Sequence, residues 1–292
     1  MVVQQHRSRG AAVAVVAAVL GAVAAGGCSA GGRDGGADGD RPGPGSVQGQ
    51  GRAGRVADGA AEEVRAAADR LVAAGSARVR TSMETAAGGT RVTIRGEGGY
   101  DFARREGRLT VVLPKDPAGT DDRSPVTELM TSGALYMKNR GAGVPADKWV
   151  RVETASLADG NLVTGGATDP LAAAELLRSA RDVSPVGRTT VGGVAVRHFR
   201  GGADIARAAR VAAPHVRASL AAAAKGFARD AVPFDVYLDD EGRVRKLRHR
   251  FHFGNGRGSV AVVSETLLYD FGAPVAVRLP ARGDIYAGRI RG

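Results

Sequence analysis

Apolar side chains recur along this chain with two periods, one helical and one alternating, and the changes of period divide it into elements. From Asp58 to Ala74, Val64, Ala67, Ala68, Leu71 and Val72 keep helical spacing, and Glu62 and Glu63 stand in the first turn, where the helix dipole favours acids. The period then becomes two. Val79 and Met83 alternate with Arg78, Arg80 and Ser82, Val92 and Ile94 with Arg91, Thr93 and Arg95, and Leu109, Val111 and Leu113 with Arg108, Thr110 and Val112. This predicts strands with one wet face. Gly88-Gly89, Gly98-Gly99 and Arg105-Glu106-Gly107 are the expected turns, and Leu135 to Lys138 with Lys148 to Glu153 form a further expected pair.

Asp169-Pro170, an acidic cap followed by proline, starts a second helix carrying Leu171, Leu176 and Leu177. Strands over Val183 to Thr190 and Val194 to Arg200 follow, and then an Ala-rich helical stretch, Asp204 to Arg229, which Pro214 kinks or divides. Three long strands close the chain. Val232, Phe234, Val236 and Leu238 alternate, Leu247, Phe251 and Phe253 share a face after the Asp240-Glu241-Gly242 turn, and Val260 to Tyr269 returns. Strands greatly outnumber helices, which makes this an α+β fold. A large sheet with one apolar face needs a cover, and the helices are the available material, so a curved antiparallel sheet should hold them on its concave face.

The first residues change the picture. His6, Arg7 and Arg9 precede seventeen uncharged residues from Ala11 to Gly27, a run too short and too weak in Leu and Ile for a stable membrane span, which favours an export signal. Ala25-Gly26-Gly27-Cys28 resembles a bacterial lipobox, which implies a signal peptide over 1–27 and a diacylglyceryl group on Cys28, the chain's one cysteine. Residues 28–56, rich in Gly, Asp, Arg, Pro and Ser, read as a flexible tether of roughly 30 Å, and 57–292 as a single folded domain. The location that follows is the extracytoplasmic face of the cell membrane, with the anchor at Cys28 holding the protein there. Net charge is +11, and removing Arg7 and Arg9 leaves +9 on the exported part, so nucleic acid is not an expected partner.

Several short motifs follow one another in a telling order. Lys148-Trp149, Asp169-Pro170 with Leu176-Leu177, Gly193-Val194 to His198-Phe199, Val236-x-Leu238-Asp239 before Gly242-x-Val244, and Tyr269-x-Phe271-Gly272-x-Pro274 together resemble actinobacterial lipoproteins of the LppX and LprG kind. The resemblance implies a LolA-like half-open β-barrel whose concave face encloses an apolar cavity for the acyl chains of a lipid or glycolipid. Val79, Met83, Val92, Ile94, Leu109, Val111, Val236, Leu238, Leu247 and Phe251 are the inward alternates that would line it. A filled core, in which the same side chains meet the helices, produces the same alternation.

Motifs for chemistry are missing from the sequence. It contains no Gly-x-Ser-x-Gly elbow, Ser-x-x-Lys, His-Glu-x-x-His, phosphate loop or calcium loop, so neither an enzyme nor a bound cofactor or metal is expected. His249 and His252, three apart on a strand, point to opposite faces, with His249 expected half-buried and His252 solvated. Asp239, Asp240 and Glu241 beside Gly242 fit a hairpin turn. Lys246, Arg248, Arg250 and His252 form an expected exposed stripe that suits anionic headgroups or an ordinary wet sheet face. Three functions remain: a tethered carrier or binder of an acyl-chain ligand, an envelope interaction or sensor lipoprotein with a filled core, and an unrecognised hydrolase.

Overall fold

The computed structural model describes residues 58–87, 90–114, 124–141, 143–254 and 259–288. The signal segment 1–27, Cys28 and the tether lie outside them. Helical residues 58–65 (α1) lead into α2 (Ala67–Ala74), and Ala66 N–H to Glu62 O with Arg70 N–H to Ala66 O, both 3.1 Å, carries the helical ladder through the joint. Six strands follow: β1 (Ser76–Ala87), β2 (Thr90–Asp101), β3 (Glu106–Val112), β4 (Val126–Thr131), β5 (Ala134–Lys138) and β6 (Trp149–Glu153). After α3 (Pro170–Leu176) come β7 (Arg181–Val191), β8 (Val194–Asp204), α4 (Ile205–Val211) and α5 (Pro214–Gly226). Pro214 opens α5, where its missing N–H costs no helical bond, so the Ala-rich stretch is divided in two. The last strands are β9 (Ala231–Leu238), β10 (Val244–Gly254) and β11 (Ser259–Tyr269).

All the strands join one open, curved 11-stranded sheet in the order β6-β5-β4-β3-β2-β1-β11-β10-β9-β8-β7, antiparallel at every step. Directly opposed residues share a face. One inward row therefore runs Val126, Val111, Gly96, Thr81, Thr266, Leu247, Val236, Phe199 across eight strands. The α+β class and the helix-covered antiparallel sheet expected from the periodicity are both present.

Several readings need correction. Glu106 and Gly107 of the expected turn at 105–107 open β3, and the turn residues are 102–105. Gly98 and Gly99 form no turn and lie inside β2, because a Cβ on Gly98 would overlap the Arg108 carbonyl of the next strand and one on Gly99 would crowd Val275 at 2.9 Å. Glycine here marks close approach within a strand. His249 is fully buried on the inner face rather than half-buried, and His252 is half-buried rather than solvated, as are Lys246, Arg248 and Arg250 of the expected exposed stripe. The Asp239 turn is as expected. The Asp239 carboxylate accepts from the backbone of Glu241 and Arg243 and from both Arg243 and Arg245 Nε, the last at 2.8 Å, while Gly242 takes φ +75°.

Candidate functional site

The cover over the concave face has its own polar framework. Asp169 caps α3 by accepting from Leu171 N at 2.8 Å and Ala172 N at 3.0 Å, and Tyr100 of β2 donates to its other oxygen at 3.2 Å. Burial raises the Asp169 carboxyl, against these three hydrogen bonds. Arg178 then ties the helices together, donating to Asp69 of α2 at 2.6 Å and to Glu175 of α3 at 2.7 Å. Those two carboxylates hold its guanidinium well above the ordinary range. Glu175 also accepts from Ala213 N at the start of α5, at 2.9 Å.

The remaining part of the cover is a loop. Residues 159–168 press into the concave face, with Asp159, Asn161, Leu162, Ala167 and Thr168 all buried. Asp159 folds this loop on itself, accepting from the backbone of Asn161, Val163 and Thr164 and from the Thr164 hydroxyl. Two adjacent glycines, Gly165 and Gly166, let the backbone lie this close to the strands. At Gly166 an added Cβ would already reach Ile94 at 3.3 Å and Val111 at 3.4 Å.

The junction between cover and sheet is less well satisfied. Thr168 meets Ser264 of β11 at 2.5 Å, and Arg140 donates to Thr164 O and Gly165 O. Yet both oxygens of Glu128 on β4, the Thr81 hydroxyl, His249 Nε2 and Asn161 Oδ1 are buried and make no hydrogen bond among the described residues. A Cβ at Gly165 would lie 3.0 Å from Asn161 Oδ1 and 3.3 Å from each Glu128 oxygen, so these oxygens converge on one point under the loop. Burial pushes the Glu128 carboxyl up to about 8 against the pull of Arg140, and burial alone pushes the His249 imidazole down to about 3. An unpartnered buried polar group costs about 1–3 kcal/mol.

Every one of the ten inward alternates lies on the concave side, but in two environments. Val79, Met83, Leu109, Val111, Val236, Leu238, Leu247 and Phe251 are 3% exposed or less and belong to one continuous core. Six of them expose nothing, so no water-sized void borders those six. Val92 and Ile94 are half-buried at the end of the sheet where β1 leads to β2. Leu113, Val144 and Val163 are likewise only partly buried against the core. A separate cleft of about 320 Å³ runs between the turn at Thr154–Ser156 and α5, lined by Ala155, Leu157, Ala158, Ala218, Ala222 and Lys225 among others.

Sequence reasoning missed Glu128 because it missed β4. Val126, Glu128 and Met130 occupy the inward parity, and the acid in the middle breaks the apolar alternation. Reading Glu128 as a core position would have recovered the strand. Among the described residues no group of three His, Cys, Asp or Glu is placed to hold a metal ion, and no helix is long and apolar enough to cross a membrane.

The architecture is an open, curved 11-stranded antiparallel sheet covered on its concave face by helices and a loop. No family model and no curated protein matches the chain. Among solved structures the chain is similar to the lipoprotein LppX of Mycobacterium tuberculosis, with 12% identity and a TM-score of 0.47, over 76% of this chain and 99% of that one. It is also similar to LprF of Mycobacterium bovis, with 13% identity and a TM-score of 0.39, over 77% and 98%. A putative outer membrane lipoprotein-sorting protein domain from Vibrio parahaemolyticus gives 9% identity and a TM-score of 0.30, over 73% and 92%.

Proposed function

We propose that this protein is a lipid-anchored extracytoplasmic lipoprotein that binds the acyl chain of a lipid or other amphiphile on the concave face of its sheet, and that it is not an enzyme. The observation that carries this reading is the pair Val92 and Ile94, inward by register and only half-buried while the other eight inward alternates are sealed, and we read that end of the sheet as the opening for the acyl chain. Taking a long acyl chain out of a bilayer forfeits on the order of 10 kcal/mol at about 0.8 per methylene, and apolar walls are what offset that loss. Because the rest of the face is closed, the chain enters by lifting the loop 159–168, whose contact with the strands leaves Glu128 and Asn161 without hydrogen bonds. Cys28 supplies the anchor in this reading. Loss of azido-fatty-acid labelling in Cys28→Ser would support it, and retained labelling would remove it.

The test of binding uses the chain from residue 29 onward, since every described element lies between 58 and 288. Titration with the fluorescent fatty acid cis-parinaric acid should give saturable uptake, and native mass spectrometry should show stoichiometric lipid. Val92→Lys and Ile94→Lys, which place a charge in the opening, should each weaken uptake by about tenfold or more while the melting temperature stays close to that of the parent. A clean apo mass with no uptake by the parent chain would overturn the proposal. That result would favour the second reading, an envelope interaction or sensor lipoprotein with a filled core, which the sealing of eight of the ten inward alternates supports.

A further inference from the structure

The convex face of the sheet carries an arrangement that the concave face does not need. Asp235 of β9 points outward, yet its side chain is only 6% exposed because basic groups close over it. Its Oδ1 lies 3.1 Å from Arg200 Nε and 2.9 Å from His198 Nε2, and its Oδ2 lies 3.1 Å from Arg250 Nη2. His198 stacks on Tyr237 at 4.2 Å with the rings 7° from parallel, and Lys246, paired with Glu265 at 2.8 Å, holds its ammonium over the Tyr237 ring at 5.8 Å from the centroid. Arg248, opposite Asp235 in the ladder, makes no ion pair among the described residues. Burial raises the Asp235 carboxyl, but His198 and Arg200 outweigh it and hold the group below its ordinary value.

One buried carboxylate thus positions two guanidinium groups, one on each oxygen. Arg200 spends only Nε and Arg250 only one Nη on that contact, and their side chains are 61% and 37% exposed. Their remaining N–H donors are therefore held in fixed places beside Arg248. Guanidinium forks match the oxygens of a phosphate, and groups fixed in advance lose little freedom on binding. We propose that Arg200 and Arg250, positioned by Asp235, form a binding site for phosphate groups, and that its occupant is the phosphodiester headgroup of an anionic bilayer. Four cations, Arg200, Lys246, Arg248 and Arg250, stand against two carboxylates, Asp235 and Glu265, so the patch keeps a positive excess for such a surface. The proposal does not depend on ligand binding at the concave face.

The experiment measures co-sedimentation of the chain from residue 29 onward with vesicles of phosphatidylglycerol and of phosphatidylcholine, at low and high salt. Binding to phosphatidylglycerol alone, weakened by salt, is expected. Arg200→Gln with Arg250→Gln should lower the partition coefficient by about tenfold, whereas Arg104→Gln with Arg229→Gln, the same charge lost elsewhere, should change it less than about threefold. Asp235→Asn separates a built site from a charged surface. It raises the net charge by one, so simple attraction predicts tighter binding, whereas loss of the group that positions both arginines predicts weaker binding. Equal binding by the two double variants, or tighter binding by Asp235→Asn, would overturn the proposal. If inorganic phosphate protects the protein against thermal unfolding but vesicles are not bound, the site belongs to soluble phosphate and the membrane assignment falls. Melting curves of each variant identify any that fails to fold, and the arginine pair, one exposed and one half-buried on the outer face, remains decisive if Asp235→Asn does.

Discussion

Glu128→Gln is expected to stabilise the protein at pH 8 by several kcal/mol and to change little at pH 4. In the folded protein the carboxyl, fully buried under the loop 159–168, titrates near 8, whereas in the unfolded chain it titrates near 4.5. Between those values the folded state holds a proton that the unfolded state has lost, so stability falls as pH rises, by about 1.4 kcal/mol per pH unit. Over the whole interval the loss is on the order of 5 kcal/mol. Below about 4.5 both states are protonated and the cost vanishes. His249 works in the opposite sense. Its imidazole titrates near 3 when folded and near 6.5 when unfolded, so it removes stability as pH falls through that interval. From about 4.5 to 6.5 the two slopes cancel, which predicts a plateau with a decline on each side. Urea unfolding at stepped pH should show that plateau, and in Glu128→Gln the alkaline decline should disappear while the acid one remains. An unchanged alkaline limb would mean that Glu128 is not the buried acid.

How far the fold was legible depended on whether side chains obeyed their element's period. Every strand with a clean alternation, such as Val232 to Leu238, was readable, as was the division at Pro214. The strand β4 was hidden by Glu128, an ionisable group at an inward position. Gly98 and Gly99 carry the signature of a turn, and only the neighbouring Arg108 carbonyl reveals that they serve close approach. The loop 159–168 offered no period at all, because it lies on the strands through its backbone and through a single turn-forming acid, Asp159. The ten inward alternates were placed on the correct side, but alternation reports a face and not what lies against it. Val92 and Ile94 are half-buried while Val79 and Leu109 are sealed, and nothing in their periodicity separates the two pairs. The grouping of Arg200, Asp235 and Arg250 was equally invisible, since it brings together β8, β9 and β10 and only the ladder register defines it.

Gly226→Ala, a change that helix propensity alone favours by up to about 1 kcal/mol, is expected to destabilise the protein by about 2 kcal/mol or more. Gly226 is the last residue of α5, and a Cβ there would overlap the carbonyl carbon and oxygen of Ala158, with the Ala158 methyl group 3.2 Å away. The obstacle is backbone, so no rotamer change relieves it. Across the same seam a Cβ on Gly160 would overlap the Ser219 carbonyl, which means that α5 and the chain at 158–160 touch main chain to main chain. Gly160 has φ +59°, so a substitution there would mix backbone strain with crowding, whereas Gly226 isolates the steric cost. Gly59→Ala is the control. Gly59 lies in α1, a Cβ there meets nothing within 4 Å, and the same change should therefore stabilise slightly. Urea midpoints of the two variants should shift in opposite directions, and amide exchange at 159–168 should accelerate only in Gly226→Ala, because α5 is the wall against which that loop is held. A Gly226→Ala protein as stable as its parent would show that α5 and the loop are separate bodies. The loop would then be free to lift from the strands without displacing the helix, and a chain entering past Ile94 would have to move only the loop.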